Sequence, residues 1–210
     1  MSTSTSTAAS HSLSAREGLA ALDMTQLWRV ETGALRIDSA QPGEASRFMR
    51  LALPGDVIGV ENWVGTDDAL SLRALTPVTL SPVQASGPEM MHILMETVVI
   101  AHQRCREVVS LRTGPVAQRL KALLLMFAQE QTEDACAANC DVPNLADLSD
   151  ILDAAPETVS RVFASMRAMQ VVQGRTPKRA RFSSEALRHL EIVAGMTSPR
   201  AARKTNFAPG

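Results

Sequence analysis

The chain has 210 residues, 45% of them hydrophobic, which is enough for one large domain or two small ones with real cores. No apolar run approaches the roughly 20 residues of a membrane span, and the Ser/Thr/Ala-rich start has neither a basic flank nor an apolar signal core. With three cysteines, no Tyr and 3% aromatics, the composition excludes a disulfide framework and a stacking platform for single-stranded nucleic acid, and the expected location is the cytoplasm.

Residues 1–23 read as a flexible tail, with a helical turn or two around Ala15–Leu22. From Gln26 the period is two. Trp28 and Val30 alternate with Arg29 and Glu31, Thr32-Gly33 makes a turn, and Leu35 and Ile37 alternate with Arg36 and Asp38. Gln41-Pro42-Gly43-Glu44 is a second turn, and Met49, Leu51 and Leu53 form a strand ended by Pro54-Gly55-Asp56. Val57–Val60, Leu70–Leu75 and Val78–Val83 add short strands. Strands of this length and spacing predict an antiparallel barrel or jelly roll over 24–86.

A long helix follows over 87–112. Met91, Leu94, Val98, Ala101, Cys105 and Val108 step by 3, 4, 3, 4 and 3, a heptad seam suited to a parallel homodimer. Met95, Val99 and Val109 flank that seam and are candidates for contact with the barrel. Thr113-Gly114-Pro115 ends the helix and opens the next, whose buried stripe is Val116, Leu120, Leu123, Leu124 and Phe127. Residues 131–143 read as a polar loop. Asp147–Met169 reads as helix, tight turn, helix. Val171–Gln173 and Arg179–Phe182 make a small hairpin, a wing, and Ser184–Val193 a closing helix. The second domain thus spans 113–195 and a second tail 196–210.

The second helix of the pair carries the chemistry. Glu157, Ser160 and Arg161 leave one face, while Val159, Val162, Phe163 and Met166 form the apolar stripe opposite. A helix docked on one side and showing Glu-x-x-Ser-Arg on the other suits a DNA major groove. There Arg can bond guanine O6 and N7, Glu can accept from cytosine N4, and Ser can do either. Taken alone, an ordinary amphipathic hairpin fits the same residues. Charge distribution separates the two. Residues 1–155 hold 11 Lys+Arg and 19 Asp+Glu, a balance of −8; residues 156–210 hold 10 and 3, a balance of +7. The cationic part begins at the second helix and continues through Arg175, Lys178, Arg179 and Arg181, as phosphate binding needs. The basic tail, Arg200, Arg203 and Lys204, accounts for only three of the ten.

The order barrel, long helix, Gly-Pro break, helix-turn-helix and wing resembles the Crp/Fnr superfamily of bacterial transcription regulators. LWRVETGALRI (27–37), LPGDVIG (53–59), GPVAQRLKALLL (114–125) and PETVSRVF (156–163) are similar to family motifs. The resemblance implies an α+β chain: a cyclic-nucleotide-binding-like jelly roll, a dimerisation helix and a C-terminal winged helix-turn-helix. It also implies a homodimeric, sequence-specific DNA-binding regulator, an activator that contacts RNA polymerase, with no enzymatic activity. Glu157, Ser160 and Arg161 match the reading set of the Fnr-like branch, which implies half-sites resembling TTGAT and an inverted repeat ATCAA. Thr158, Arg175, Lys178 and Arg179 are then the phosphate contacts. The alternative is a ligand-binding adaptor acting through protein contacts, with a weak DNA domain.

Several positions depart from the family. Cyclic-nucleotide binders place a Glu shortly after the Gly that follows PGD and an Arg-Ser pair further on; here those positions are Val60 and Asp68-Ala69. Asp67-Asp68 would repel a phosphate, so control by cyclic AMP is not expected. Residues 1–104 contain no Cys, unlike the iron–sulfur members. Asp153 stands where Gly is usual in the turn, and Asp tolerates a left-handed backbone better than most residues. Ala155 replaces a Ser or Thr N-cap, at a cost of about 1 kcal/mol. Pro156 removes a potential fourth reading side chain. Cys136 and Cys140 could form a redox switch, although inert thiols are the plainer account, and no metal site is specified because a one-chain zinc site lacks two ligands. No cofactor is specified either; haem on His92 or His102 is left open by the resemblance, beside the plainer reading of solvated helix histidines. There is no Ser/His/Asp arrangement, HExxH, P-loop or Gly-rich dinucleotide turn.

Overall fold

The computed structural model describes residues 10–19, 26–40, 45–63, 69–128, 142–173, 181–182 and 184–191. It divides into two compact units, 1–106 and 107–210. Among the described residues no helix is long and apolar enough to cross a membrane.

The first unit is built of antiparallel strands: β1 (His11–Leu13), β2 (Trp28–Thr32), β3 (Leu35–Ala40), β4 (Arg47–Ala52), β5 (Val57–Ile58), β6 (Ala69–Ala74) and β7 (Val78–Pro82). They form two sheets, ordered β1-β7-β2-β5 and β4-β3-β6. The expected barrel is therefore seen as a pair of sheets, with no ladder joining them among the described residues. Period-two alternation sends Val30, Leu35, Ile37, Leu72, Ala74 and Leu80 into one shared core. Arg36 and Asp38, on the opposite face of β3, are also buried, and Arg36 Nε bonds Asp38 Oδ1 at 2.6 Å. The opposite charges compensate each other in the interior, and the Arg36 guanidinium also lies over the Phe48 ring. Gly33, between β2 and β3, has φ +81°, and a Cβ there would stand 2.0 Å from Pro77 O. Only glycine fits.

The expected N-terminal tail is corrected in its second half. β1 pairs with β7, and Gly18 bridges Arg73 on β6. Leu13 and Leu19 are buried in the sheet core. The helical turn expected around Ala15–Leu22 is absent among the described residues there, and Arg16 at φ 76° is incompatible with it. Burial of two leucines and protection of the open β7 edge outweigh the weak local helical preference.

The long helix α1 (Gly87–Arg112) has 26 residues. In the second unit α2 (Val116–Ala128) buries Ala117, Leu120, Leu123, Leu124 and Phe127; Val116, expected in that stripe, is half-buried. α3 (Leu145–Ile151) and α4 (Pro156–Ala168) follow, joined by residues 152–155. Then come the paired strands β8 (Val172–Gln173) and β9 (Arg181–Phe182) and the short α5 (Ser184–His189), which ends before the expected Val193. Lys121 Nζ donates to Arg188 O at 2.9 Å and Leu190 O at 2.7 Å, a cation on the closing carbonyls of α5.

Candidate nucleic-acid interface

α3 is preceded by Asn144, whose side chain accepts from Asp147 N–H at 3.0 Å, so this helix has a true N-cap. α4 lacks one: Ala155 makes no side-chain cap bond, and Pro156 starts the helix through its preset φ. Asp153 takes φ 47°, as the turn position requires. Val159, Val162, Phe163 and Met166 are buried along one side of α4. Glu157, Ser160 and Arg161 are exposed on the other. Among the described residues none of these three side chains has a hydrogen-bond or ion-pair partner, so their donors and acceptors are uncommitted. Thr158 is half-buried beside them. A groove of about 410 Å³ next to the start of α4 is lined by Ser149, Asp150, Asp153 and Ala154 to Pro156. Its two carboxylates make it unfavourable for phosphate.

Arg175, Lys178 and Arg179, expected at the phosphates, lie outside the described residues. So do Cys136 and Cys140. His92 and His102 are exposed on α1, with His92 Nε2 3.2 Å from Glu96 Oε1. No group of three or more His, Cys, Asp or Glu among the described residues is placed to hold a metal ion.

On α1 the proposed seam is exposed at Met91, Val98 and Cys105 and half-buried at Leu94, Ala101 and Val108. The flank behaves opposite to expectation. Met95 and Val99 are 61 and 66% exposed, as Met91 and Val98 are at 61 and 63%, so they join the open stripe rather than face the sheets, and Val109, in the second unit, is 65% exposed. The side of α1 packed in the first unit is marked instead by buried Thr97 and by Arg104. Arg104 makes a bidentate bond to Asp56, Nε to Oδ2 at 2.8 Å and Nη2 to Oδ1 at 3.0 Å. Asp56 Oδ2 also accepts Leu53 N–H at 3.0 Å, closing the Pro-Gly-Asp turn. That pair was not legible in the sequence; the turn was visible, its partner 48 positions away was not. Glu61 was missed as well. It stands one residue beyond the position aligned with a ribose contact, bonds Arg50, and accepts Gly59 N–H at 3.2 Å.

The two units and their order match a known class of fold. No protein-family model matches the sequence, and neither does any curated protein. Solved structures do match. A CRP-family transcriptional regulator from Thermus thermophilus is 22% identical, with TM-score 0.66 over 84% of this chain and 94% of that one. FixK2 from Bradyrhizobium japonicum is 19% identical, with TM-score 0.64 over 89% and 98%. A CRP/FNR-family regulator, also from Thermus thermophilus, is 19% identical, with TM-score 0.60 over 86% and 96%. The fold is thus the one these transcriptional regulators share, at identities that establish fold alone.

Proposed function

We propose that this chain is a homodimeric, sequence-specific DNA-binding regulator of transcription with a winged helix-turn-helix formed by α3, α4 and the β8–β9 hairpin. The observation that carries the reading is α4, docked by Val159, Val162, Phe163 and Met166 and presenting exposed Glu157, Ser160 and Arg161 with no side-chain partners among the described residues. Arg161 reads a guanine, Glu157 accepts from a cytosine or orients Arg161, and Ser160 bonds an adjacent edge. Thr158, Arg175, Lys178 and Arg179 contact phosphates, which fix register without reading sequence. The similarity in fold to CRP/FNR-family regulators supports the same reading.

Dimerisation is supported by the open stripe Met91, Met95, Val98, Val99 and Val109 on α1, since exposed apolar residues clustered on one helix face mark an association site. A two-fold dimer places the two α4 helices in successive major grooves, about 34 Å apart, on an inverted repeat. By its Glu-x-x-Ser-Arg set the site is Fnr-like, TTGAT with ATCAA, and the protein is an activator that contacts RNA polymerase. Cyclic AMP is not its effector: Glu61, the acidic side chain after Gly59, is already committed to Arg50 and to the backbone. Calorimetry should detect no micromolar affinity for cyclic AMP or cyclic GMP.

Selection from random double-stranded DNA tests the function. An inverted repeat should be enriched, and Arg161→Ala should lose about 1–3 kcal/mol on it and relax one G·C position. An enriched motif without two-fold symmetry, or one unchanged by Arg161→Ala, would overturn the assignment.

A further inference from the structure

The turn at residues 152–155 sets the direction of α4, yet α3, only seven residues long, has few bonds of its own to hold that end. Leu152 N–H bonds Leu148 O at 3.0 Å, Asp153 N–H bonds Asp150 O at 3.1 Å, and Ala154 N–H bonds Ser149 O at 2.9 Å. The last carbonyls of the helix and turn receive guanidinium groups from two other helices. Arg119 of α2 donates Nη1 to Leu152 O at 2.5 Å. Arg112, the last residue of α1, reaches Ile151 O with Nε and Asp150 O with Nη2, both at 3.5 Å. Cations at the C-terminal end of a helix are favourable, and two of them converge on three successive carbonyls.

The bonds fix geometry as well as adding stability. Arg119 Nε is buried with no acceptor among the described residues, so the one bond shown for this guanidinium is the one from Nη1 to Leu152 O. What the arginine adds is direction: the single bond from Nη1 of a rigid guanidinium sets where the carbonyl of Leu152 lies. Leu152 itself is fully buried, so its carbonyl is a fixed point immediately before Asp153 turns the chain at φ 47°.

We propose that Arg119, assisted by Arg112, is a positioning residue for base reading: the two guanidiniums clamp the carbonyls of the α3–α4 turn and so hold α4 at the angle at which Glu157, Ser160 and Arg161 meet base edges. The inference rests on the DNA-binding reading above. Neither arginine itself touches DNA. A small rotation of α4 moves the tip of a long side chain such as Arg161 by more than a bidentate bond tolerates, while phosphate contacts, which are less directional, survive.

The test uses the full chain as wild type, Arg119→Met and the milder Arg112→Gln. Affinity is measured across a salt series for the selected duplex and for one with the Arg161-read G·C pair changed in both half-sites. Arg119→Met should lower discrimination between the duplexes by roughly tenfold, within what one bidentate base contact supplies, and leave the slope of log K against log salt unchanged. Arg112→Gln should do the same more weakly. A slope shallower by about 0.9 per substitution would make these arginines phosphate contacts and overturn the proposal. Unchanged discrimination with lower thermal stability would leave them structural and overturn it too. Amide exchange without DNA reads the clamp directly. Asp153 and Ala154 should exchange faster in Arg119→Met while Val162 and Phe163 in α4 do not; equal exchange at the turn would refute the clamp. Failure of the wild-type chain to bind any duplex would remove the DNA reading, and the inference on base reading with it, while exchange would still decide whether the clamp exists.

Discussion

Arg104→Met should cost the first unit about 3 kcal/mol, because the substitution strands a buried carboxylate. The Asp56 side chain is 3% exposed and that of Arg104 14%, and both guanidinium bonds are near ideal length. Removing one partner from a buried ion pair costs about 3–5 kcal/mol. Asp56 keeps the Leu53 N–H bond and Met fills the volume of the arginine stem, which places the loss at the lower end. Such a loss lowers the folding equilibrium constant by about two decades. Urea unfolding followed by tryptophan fluorescence is suited to it, since both tryptophans, Trp28 and Trp63, lie in the first unit. Asp56→Asn with Arg104→Met removes both charges, so the double variant should be more stable than the sum of the two single losses predicts, by about 1–3 kcal/mol. A single-variant loss below about 1 kcal/mol, or losses additive within about 0.5 kcal/mol, would refute the view that the pair is a buried, mutually dependent unit.

Gly33→Ala should unfold or severely destabilise the first unit, as an added Cβ meets Pro77 O at 2.0 Å and the residue keeps φ +81°; a melting curve matching wild type would mean that the hairpin shifts freely. Val98→Glu should give monomers in light scattering with an unchanged melting temperature extrapolated to infinite dilution, because Val98 is 63% exposed within one chain. Ala101→Glu, at the half-buried edge of the stripe, should also give monomers, and a persistent dimer in both variants would assign the wrong face. Leu148→Ala, at a fully buried site in α3, should cost about 2–5 kcal/mol in urea unfolding, and a loss under about 1 kcal/mol would mean that the helix pair repacks without it.

Local periodicity explains what the sequence made legible. The alternation around Trp28–Val30 and Leu35–Ile37 and the stripe Val159, Val162, Phe163, Met166 each reappear as a buried face, because both signals sit within one element. The three residues expected to read bases occupy the exposed face of α4 for the same reason. What escaped is non-local. β1 has three residues and no pattern of its own; its register comes from β7, more than sixty positions later. The rotation of the open stripe on α1 toward Met95, Val99 and Val109 depends on which side Arg104 turns to Asp56. Arg50 with Glu61, and Arg119 with Leu152, likewise join residues on different elements, and no spacing rule announces such pairs.

The open stripe of α1 also has a kinetic and quantitative consequence. Met91, Met95, Val98 and Val99 stand in water in the single chain, and in the dimer proposed above it is the form with this stripe covered that would occupy both halves of the proposed inverted repeat. Below the dissociation constant of the pair, dimer concentration rises as the square of chain concentration. On that proposal a twofold rise in chain concentration gives about a fourfold rise in the form that would bind the repeat. For the proposed dimer, synthesis and degradation of the chain would be an input in their own right, sharpened by mass action before any small molecule is involved.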